Sequence, residues 1–274
     1  MELSAELIQH LFEAADTGLV NWSREYIQHA LQTDHEVQLL EMSALLDHAS
    51  QDFDDCRRKL ETSMLLAPLR PASWCALADA YFLTELTEDA RNIYSYVANS
   101  PNSSTTLVRY CAWRLDMMGE SARALEAARR VVAEQGEHAQ TFYEFSYFLA
   151  RSGSSLRLVA SVLKQAISLA PDLATYRFAM AKLLLESGDQ SAAFEWIREL
   201  SARHLNQMTC RCCLERLAGM YESMHDRIRA HACRVVIATL PEMPTATVTA
   251  NRYLLANEYN SSVNSLDARL HSQH

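Results

Sequence analysis

The sequence predicts an all-α protein made of stacked antiparallel helix pairs, and three observations carry that expectation. Its palette is rich in Ala, Leu, Glu, Gln, Arg and Met and poor in Val and Ile, which favours helix over strand. Glycine and proline number only six each in 274 residues, so turns are few and short. A small residue also recurs in matching contexts at Ser43, Ala78, Ala112, Ser146, Ala181 and Ala218, in steps of 35, 34, 34, 35 and 37 residues. A fixed period of this length is the signature of a repeated supersecondary unit.

Each unit reads as helix A, a short turn and helix B. In WCALADAYFLTELTEDARNIY, residues 74–94, the large residues Trp74, Leu77 and Tyr81 make one apolar stripe on helix A. Ala78 sits between them, where a small side chain lets helix B cross closely. Ala90 does the same from helix B and recurs as Ala124, Ala160, Ala193 and Ala230. Large side chains at both positions would push the axes beyond the usual spacing of about 8–10 Å. Gly18, Gly119, Gly153 and Gly188 fall at the turn phase, where glycine accepts a positive φ. Pro68, Pro101, Pro171 and Pro241 follow helix B and stop it.

The series Trp74, Leu77, Ala78, Tyr81, Ala90, Tyr94 with Pro101 resembles the tetratricopeptide repeat (TPR). The match continues through Val108, Cys111, Ala112, Leu115 and Ala124, and through Met180, Ala181, Leu184, Ala193 and Ile197. It is weaker at Leu214, Leu217, Ala218, Tyr221 and Ala230, where Arg234 replaces an aromatic residue. Phe142, Phe145, Ser146 and Leu149 fit helix A, but about one extra residue near Arg157 shifts helix B. The resemblance implies a right-handed superhelical solenoid of about six to seven repeats. Residues 1–34 form a degenerate first repeat or cap, with helices over 3–16 and 22–32; residues 35–241 form the solenoid; and 242–274 form a capping helix and polar tail. The last, 37-residue step predicts a longer loop around His204–Thr209.

Composition narrows the function. The net charge of −9 argues against a nucleic-acid partner, which a basic face would serve. Residues 1–60 hold 12 acids against 4 bases, and residues 201–274 hold 6 against 8, a polarity that suits end-to-end contacts in a homo-oligomer as well as it suits solvated faces. The start, MELSAELIQHLFEAAD, is acidic where a signal peptide is basic, and no apolar run reaches a membrane span. Seven cysteines inside helical patterns point to a reducing cytoplasm. No membrane partner is expected.

No nucleophile elbow, phosphate loop or HExxH motif occurs, so no catalytic residue and no cofactor is expected. His48 near Asp47, and His225 beside Asp226, read as solvent-facing turn residues. In TCRCC, a helix places Cys210 and Cys213 on one face and Cys212 elsewhere, so packing is favoured over a metal site, with His204 near and His225, His231 and Cys233 beyond. DFDDCRRK at 52–59 puts acids at a helix start and bases one turn on, which complements the helix dipole.

The resemblance also implies a concave groove lined by the A helices that takes a peptide or helix of a partner. The groove phase yields Cys75, Asp79 and Phe82; Arg109, Trp113 and Asp116; Tyr143, Tyr147 and Arg151; and Phe178, Lys182 and Leu185. Of these, Asp79, Phe82, Arg109, Trp113, Tyr143, Tyr147, Arg151, Phe178 and Lys182 form the predicted partner-binding set. Aromatic anchors flanked by arginine are typical of binding hot spots; the same stripe also suits internal packing. Cys75 and Asp79 stand where chaperone-binding members carry cationic and amide groups, so a chaperone tail is disfavoured. Three readings follow: a non-enzymatic adaptor or chaperone-like scaffold, a self-assembling structural component, and a metal- or thiol-dependent sensor.

Overall fold

In a computed structural model of the chain, residues 37–240 are described, and among them there are thirteen helices and no strand. They are α1 (Val37–Ala49), α2 (Phe53–Leu66), α3 (Pro71–Leu83), α4 (Thr87–Asn99), α5 (Thr105–Met117), α6 (Ser121–Gln135), α7 (Ala139–Arg151), α8 (Leu156–Leu169), α9 (Ala174–Glu186), α10 (Gln190–Ile197), α11 (Ala202–Leu205), α12 (Arg211–Ser223) and α13 (Arg227–Thr239). The chain is a run of tandem helix hairpins: α1 packs on α2, α3 on α4, α7 on α8, α9 on α10 and α12 on α13. Among the described residues no helix is long and apolar enough to cross a membrane. The expected cap at 1–34, with Gly18, and the capping helix and tail at 242–274, with Pro241, lie outside the described residues.

Contacts divide the described residues into two compact units, 37–127 and 128–240. In the first, α3 touches α1, α2, α4 and α5. In the second, the last two hairpins enclose a core of Phe178, Ala181, Ala193, Ile197, Leu214, Leu217, Ala218, Tyr221 and Ala230 with their neighbours.

One turn geometry closes every hairpin. The second residue beyond helix A is left-handed in each: Gln51, Glu85, Gly119, Gly153, Gly188 and His225, with φ from 60 to 86°. The next N–H then reaches back five residues to a helix A carbonyl. These bonds, from Asp52 to Asp47, Leu86 to Tyr81, Glu120 to Leu115, Ser154 to Leu149, Asp189 to Leu184 and Asp226 to Tyr221, are 2.8–3.0 Å long. This closure satisfies carbonyls that the helix end leaves open. Glycine marks only three of the six sites; at the others the hairpin imposes the conformation on Gln, Glu and His. The turn reading of His225 stands, and its side chain is exposed.

The ladder of small residues is buried as the crossing requires: Ser43, Ala78, Ala112, Ser146, Ala181 and Ala218 on helix A, and Ala90, Ala124, Ala193 and Ala230 on helix B. Ala160 is the exception. It is half-buried, and Val159 takes the interior position. Four residues, 152–155, separate α7 from α8 where the other turns have three, so the phase slips by one. The longer step after Ala181 is taken up by a short α10 and the single turn α11, whose Leu205 is buried together with Met208.

The left-handed turn generates a stability prediction. Glu85 is exposed with φ 66°, so Glu85→Gly is expected to stabilise the protein by roughly 1 kcal/mol, and Gly119→Ala to cost about as much. Urea unfolding measures both. A lower midpoint in Glu85→Gly would mean that the carboxylate contributes more than its backbone conformation costs.

Candidate functional site

In the first unit the groove expectation meets a helix that is buried almost all round. Ala72, Ser73, Cys75, Ala76, Leu77, Ala78, Asp79 and Ala80 of α3 are all buried. The sequence explains this, because Cys75 at the groove phase and Ala76 and Ala80 next to it are small. Asp79 is 1% exposed and is not a groove residue.

Asp79 is instead the centre of a polar cluster. Its Oδ2 meets His48 Nε2 at 2.7 Å and accepts the Tyr110 hydroxyl. Its Oδ1 accepts the Tyr94 hydroxyl and lies 2.9 Å from Arg114 Nε. Arg114 Nη2 donates to the Tyr110 hydroxyl at 2.9 Å. Burial alone would push the Asp79 carboxyl up. The hydrogen bond from His48 and the charge of Arg114 outweigh it and hold the pKa below the usual carboxylate value. Burial and the Asp79 charge drive Tyr94 and Tyr110 well above the ordinary phenol. His48 is therefore no solvent-facing turn residue; its ring is half-buried and bridges α1 to α3. Nearby, Lys59 of the DFDDCRRK run reaches past its own helix to Asp47 and to Ser43 Oγ, the latter at 2.7 Å.

The other expected residues of this unit differ in exposure. Asp116 and Cys75 are buried, with Cys75 Sγ 3.6 Å from Cys111 Sγ. Phe82 and Arg109 are half-buried, and Trp113 is 36% exposed. Trp113 is the large aromatic surface that this unit offers at the groove phase.

In the second unit, Phe178 is 5% exposed and belongs to the core around Ile197 and Leu214, so it too is corrected from contact residue to packing. Tyr143 and Tyr147 are half-buried; Arg151, Lys182 and Leu185 are exposed. Tyr143 stacks on Tyr176 with centroids 4.8 Å apart and planes at 27°. Tyr147 meets Phe148 edge-on at 5.3 Å. Lys182 pairs along its own helix with Glu186 at 3.7 Å. Burial, then negative charge at Cys213, raises the Tyr143 phenol.

TCRCC adopts an arrangement its sequence spacing did not suggest. Cys210 is the N-cap of α12, outside the helix, and its Sγ accepts the Cys213 N–H at 3.3 Å. That fold-back brings Cys210, Cys212 and Cys213 together, with their sulfurs all within 4.8 Å of one another. Burial opposes a Cys210 thiolate, but hydrogen bonds from Cys213 and Cys212 hold its pKa below the ordinary thiol value. Burial pushes Cys213 up to about 12. His204 is engaged elsewhere, its Nδ1 accepting the Ser201 N–H at 3.0 Å, and Cys233 is in the core.

No family model and no curated protein sequence matches this chain. Solved structures do match by fold. A TPR repeat-containing protein from Cytophaga hutchinsonii, represented by its C-terminal part, superposes with a TM-score of 0.61 at 12% identity, over 89% of this chain and 98% of that one. A tetratricopeptide repeat protein from Parabacteroides merdae gives 0.61 at 12% identity, over 92% and 97%. YrrB, described as a TPR protein with an unusual peptide-binding site, gives 0.54 at 13% identity, over 77% and 99%. At such identities the likeness is one of fold: tandem TPR-like helix hairpins.

The Asp79 cluster generates the second prediction. A carboxyl whose folded pKa is depressed contributes its stability above its unfolded value, about 4, and loses it as pH falls through the folded value. Unfolding free energy is expected to be flat near neutrality and to fall below about pH 4. Asp79→Asn should cost about 2 kcal/mol at pH 7, because half-buried Arg114 loses its counter-charge and the Tyr94 and Tyr110 hydroxyls lose a charged acceptor. It should also flatten the acid limb. An Asp79→Asn protein with the same acid limb would assign that limb to other carboxylates.

Proposed function

We propose that the chain is a non-enzymatic interaction scaffold, an adaptor or chaperone-like protein that captures an extended peptide or a helix of a partner protein. One observation carries the reading. At the groove phase of their A helices, both units keep large aromatic surface part-exposed on helices that also carry cations at that phase: Trp113 four residues after Arg109, and Tyr143 and Tyr147 before Arg151, with Lys182 exposed on α9. Rings held by packing on one side and open on the other bind with little loss of conformational freedom. Phe82 adds half-buried apolar surface in the first unit. The partner segment that each of these surfaces suits is apolar with acidic residues, the rings supplying burial and the cations charge-assisted hydrogen bonds. Fold likeness to YrrB, a TPR protein with a peptide-binding site, supports the class of partner. The seven free thiols suit a reducing compartment such as the cytoplasm.

Selection from a displayed peptide library tests the proposal. Enriched peptides are expected to carry aromatic or aliphatic residues among acids. Trp113→Ala and Tyr147→Ala are each expected to weaken the peptides that their own unit binds by about 30-fold, taking an anchor at about 2 kcal/mol. Helicity and the urea midpoint should change little, because neither side chain is fully buried. Peptides that hold both variants as tightly as the parent would remove these residues from the binding surfaces.

A further inference from the structure

The three sulfurs at the start of α12 are the largest group of metal-ligating side chains brought together among the described residues. We propose that Cys210, Cys212 and Cys213 bind one soft monovalent cation of the copper(I) class as a three-thiolate site.

Geometry is the first support. Three sulfurs about 2.3 Å from a common ion lie about 4 Å from one another. The sulfurs here are within 4.8 Å of each other, and those of Cys210 and Cys212 are 3.0 Å apart. Loading therefore needs that pair to open by about 1 Å. Cys212 is exposed and free to make the adjustment by turning about χ1. The backbone is already committed, because the Cys213 N–H holds Cys210 Sγ over the first turn.

Ligand number chooses the metal. Zinc in a structural site takes four protein ligands in a tetrahedron. Among the described residues, no fourth cysteine, histidine or carboxylate joins this group. A three-sulfur set with no nitrogen or oxygen donor suits a soft ion that accepts trigonal coordination, and thiolate ligands favour copper(I). Three thiolates around one monovalent cation leave a net charge of −2. The site sits at the N-terminus of a thirteen-residue helix, whose dipole favours negative charge. Each thiol gives up its proton as its sulfur takes the cation, and no electron is transferred.

The site is also reachable. Cys210 and Cys212 are exposed and Cys213 is half-buried, whereas Cys56, Cys75, Cys111 and Cys233 are buried. The proposal is independent of the aromatic surface and stands or falls separately from it.

The test uses the full chain under anaerobic conditions with a phosphine reductant and copper(I) presented as its bicinchoninate complex. One equivalent is expected to transfer, with a thiolate-to-copper charge-transfer band in the ultraviolet. Cys212→Ser and Cys213→Ser are each expected to lower the affinity by at least about 100-fold, more than the loss of a residue that merely supports a ligand. Helical circular dichroism should be unchanged. Should Cys213→Ser fail to fold, Cys212→Ser carries the test alone, since that side chain is exposed. Failure of the parent to compete with the chelator overturns the proposal. So does undiminished uptake by Cys212→Ser, which places the copper at other thiols. Zinc(II) offered in a parallel titration is expected to bind weakly; tight zinc with no copper would overturn the three-coordinate assignment.

Discussion

The close crossing of paired helices is the constraint on which the rest of this structure depends. Ala78 against Ala90, Ala112 against Ala124, Ala181 against Ala193 and Ala218 against Ala230 are buried pairs twelve residues apart. Twelve residues is the distance the chain needs to finish helix A, make a three-residue turn and descend one turn of helix B. The spacing thus couples sterics to turn length. Adding one residue to the turn must move the small position by one, and that is seen between α7 and α8, where Val159 replaces Ala160 at the interior. A valine there means that this hairpin crosses over a bulkier contact than its neighbours do.

The same coupling explains why the turns tolerate poor residues. A left-handed Gln, Glu or His costs roughly 1 kcal/mol relative to glycine. Losing the hairpin would expose a carbonyl and separate two apolar helix faces, which costs more. The backbone bond from the residue after the turn to helix A is present whether the turn residue is Gly119 or Glu85. Turn chemistry follows from packing here, and the glycines ease a conformation that the crossing already requires.

The architecture was largely legible in the sequence because it is set by residue size at a fixed period, and size can be read residue by residue. Part of the turn phase was hidden, since Gln51 and Glu85, at φ 66°, are not residue types that favour a positive φ. The site was legible only in part. The groove phase was transferred to every A helix alike, yet exposure at that phase depends on what lies opposite. In α3 the opposing elements α1 and α5 close over it, and a lone acid in PASWCALADAYFL was the available signal. An aspartate in an otherwise small and apolar helix has to be either at a surface or paired, and the buried alanines around it leave only pairing. Its partners could not be found by spacing, because His48 and Tyr110 lie 31 residues away on either side. Helical spacing hides the cysteine cluster for a local reason: Cys210 is the cap residue and lies outside the helix.

The Asp79 cluster has a consequence for specificity of the fold. The apolar faces of these helices are chemically alike, so a helix A packed one turn out of register would lose little hydrophobic burial. It would lose the match between one carboxylate and four partners drawn from α1, α4 and α5, namely His48, Tyr94, Tyr110 and Arg114. A buried carboxylate left with fewer partners is strongly destabilising, whereas a shifted leucine is not. Placing one such group where three other helices converge penalises the misregistered arrangements selectively. The pairing need not add net stability over an all-apolar core to do so. What it adds is a difference in energy between the native register and its nearest competitors, a quantity that uniform packing of alanine and leucine supplies poorly. In the corresponding position on α13, four residues after its small residue, Arg234 pairs with Glu222 at the surface instead of reaching a buried acid. The last hairpin is held by its apolar core, and the Tyr221 hydroxyl docks it on the preceding hairpin by donating to the Ile197 carbonyl of α10 at 2.7 Å. No buried charge sets the register there: side-chain shape, a neutral hydrogen bond from α12 to α10 and a surface ion pair from α13 to α12 do, so the two ends of the described chain solve the same problem by different chemistry.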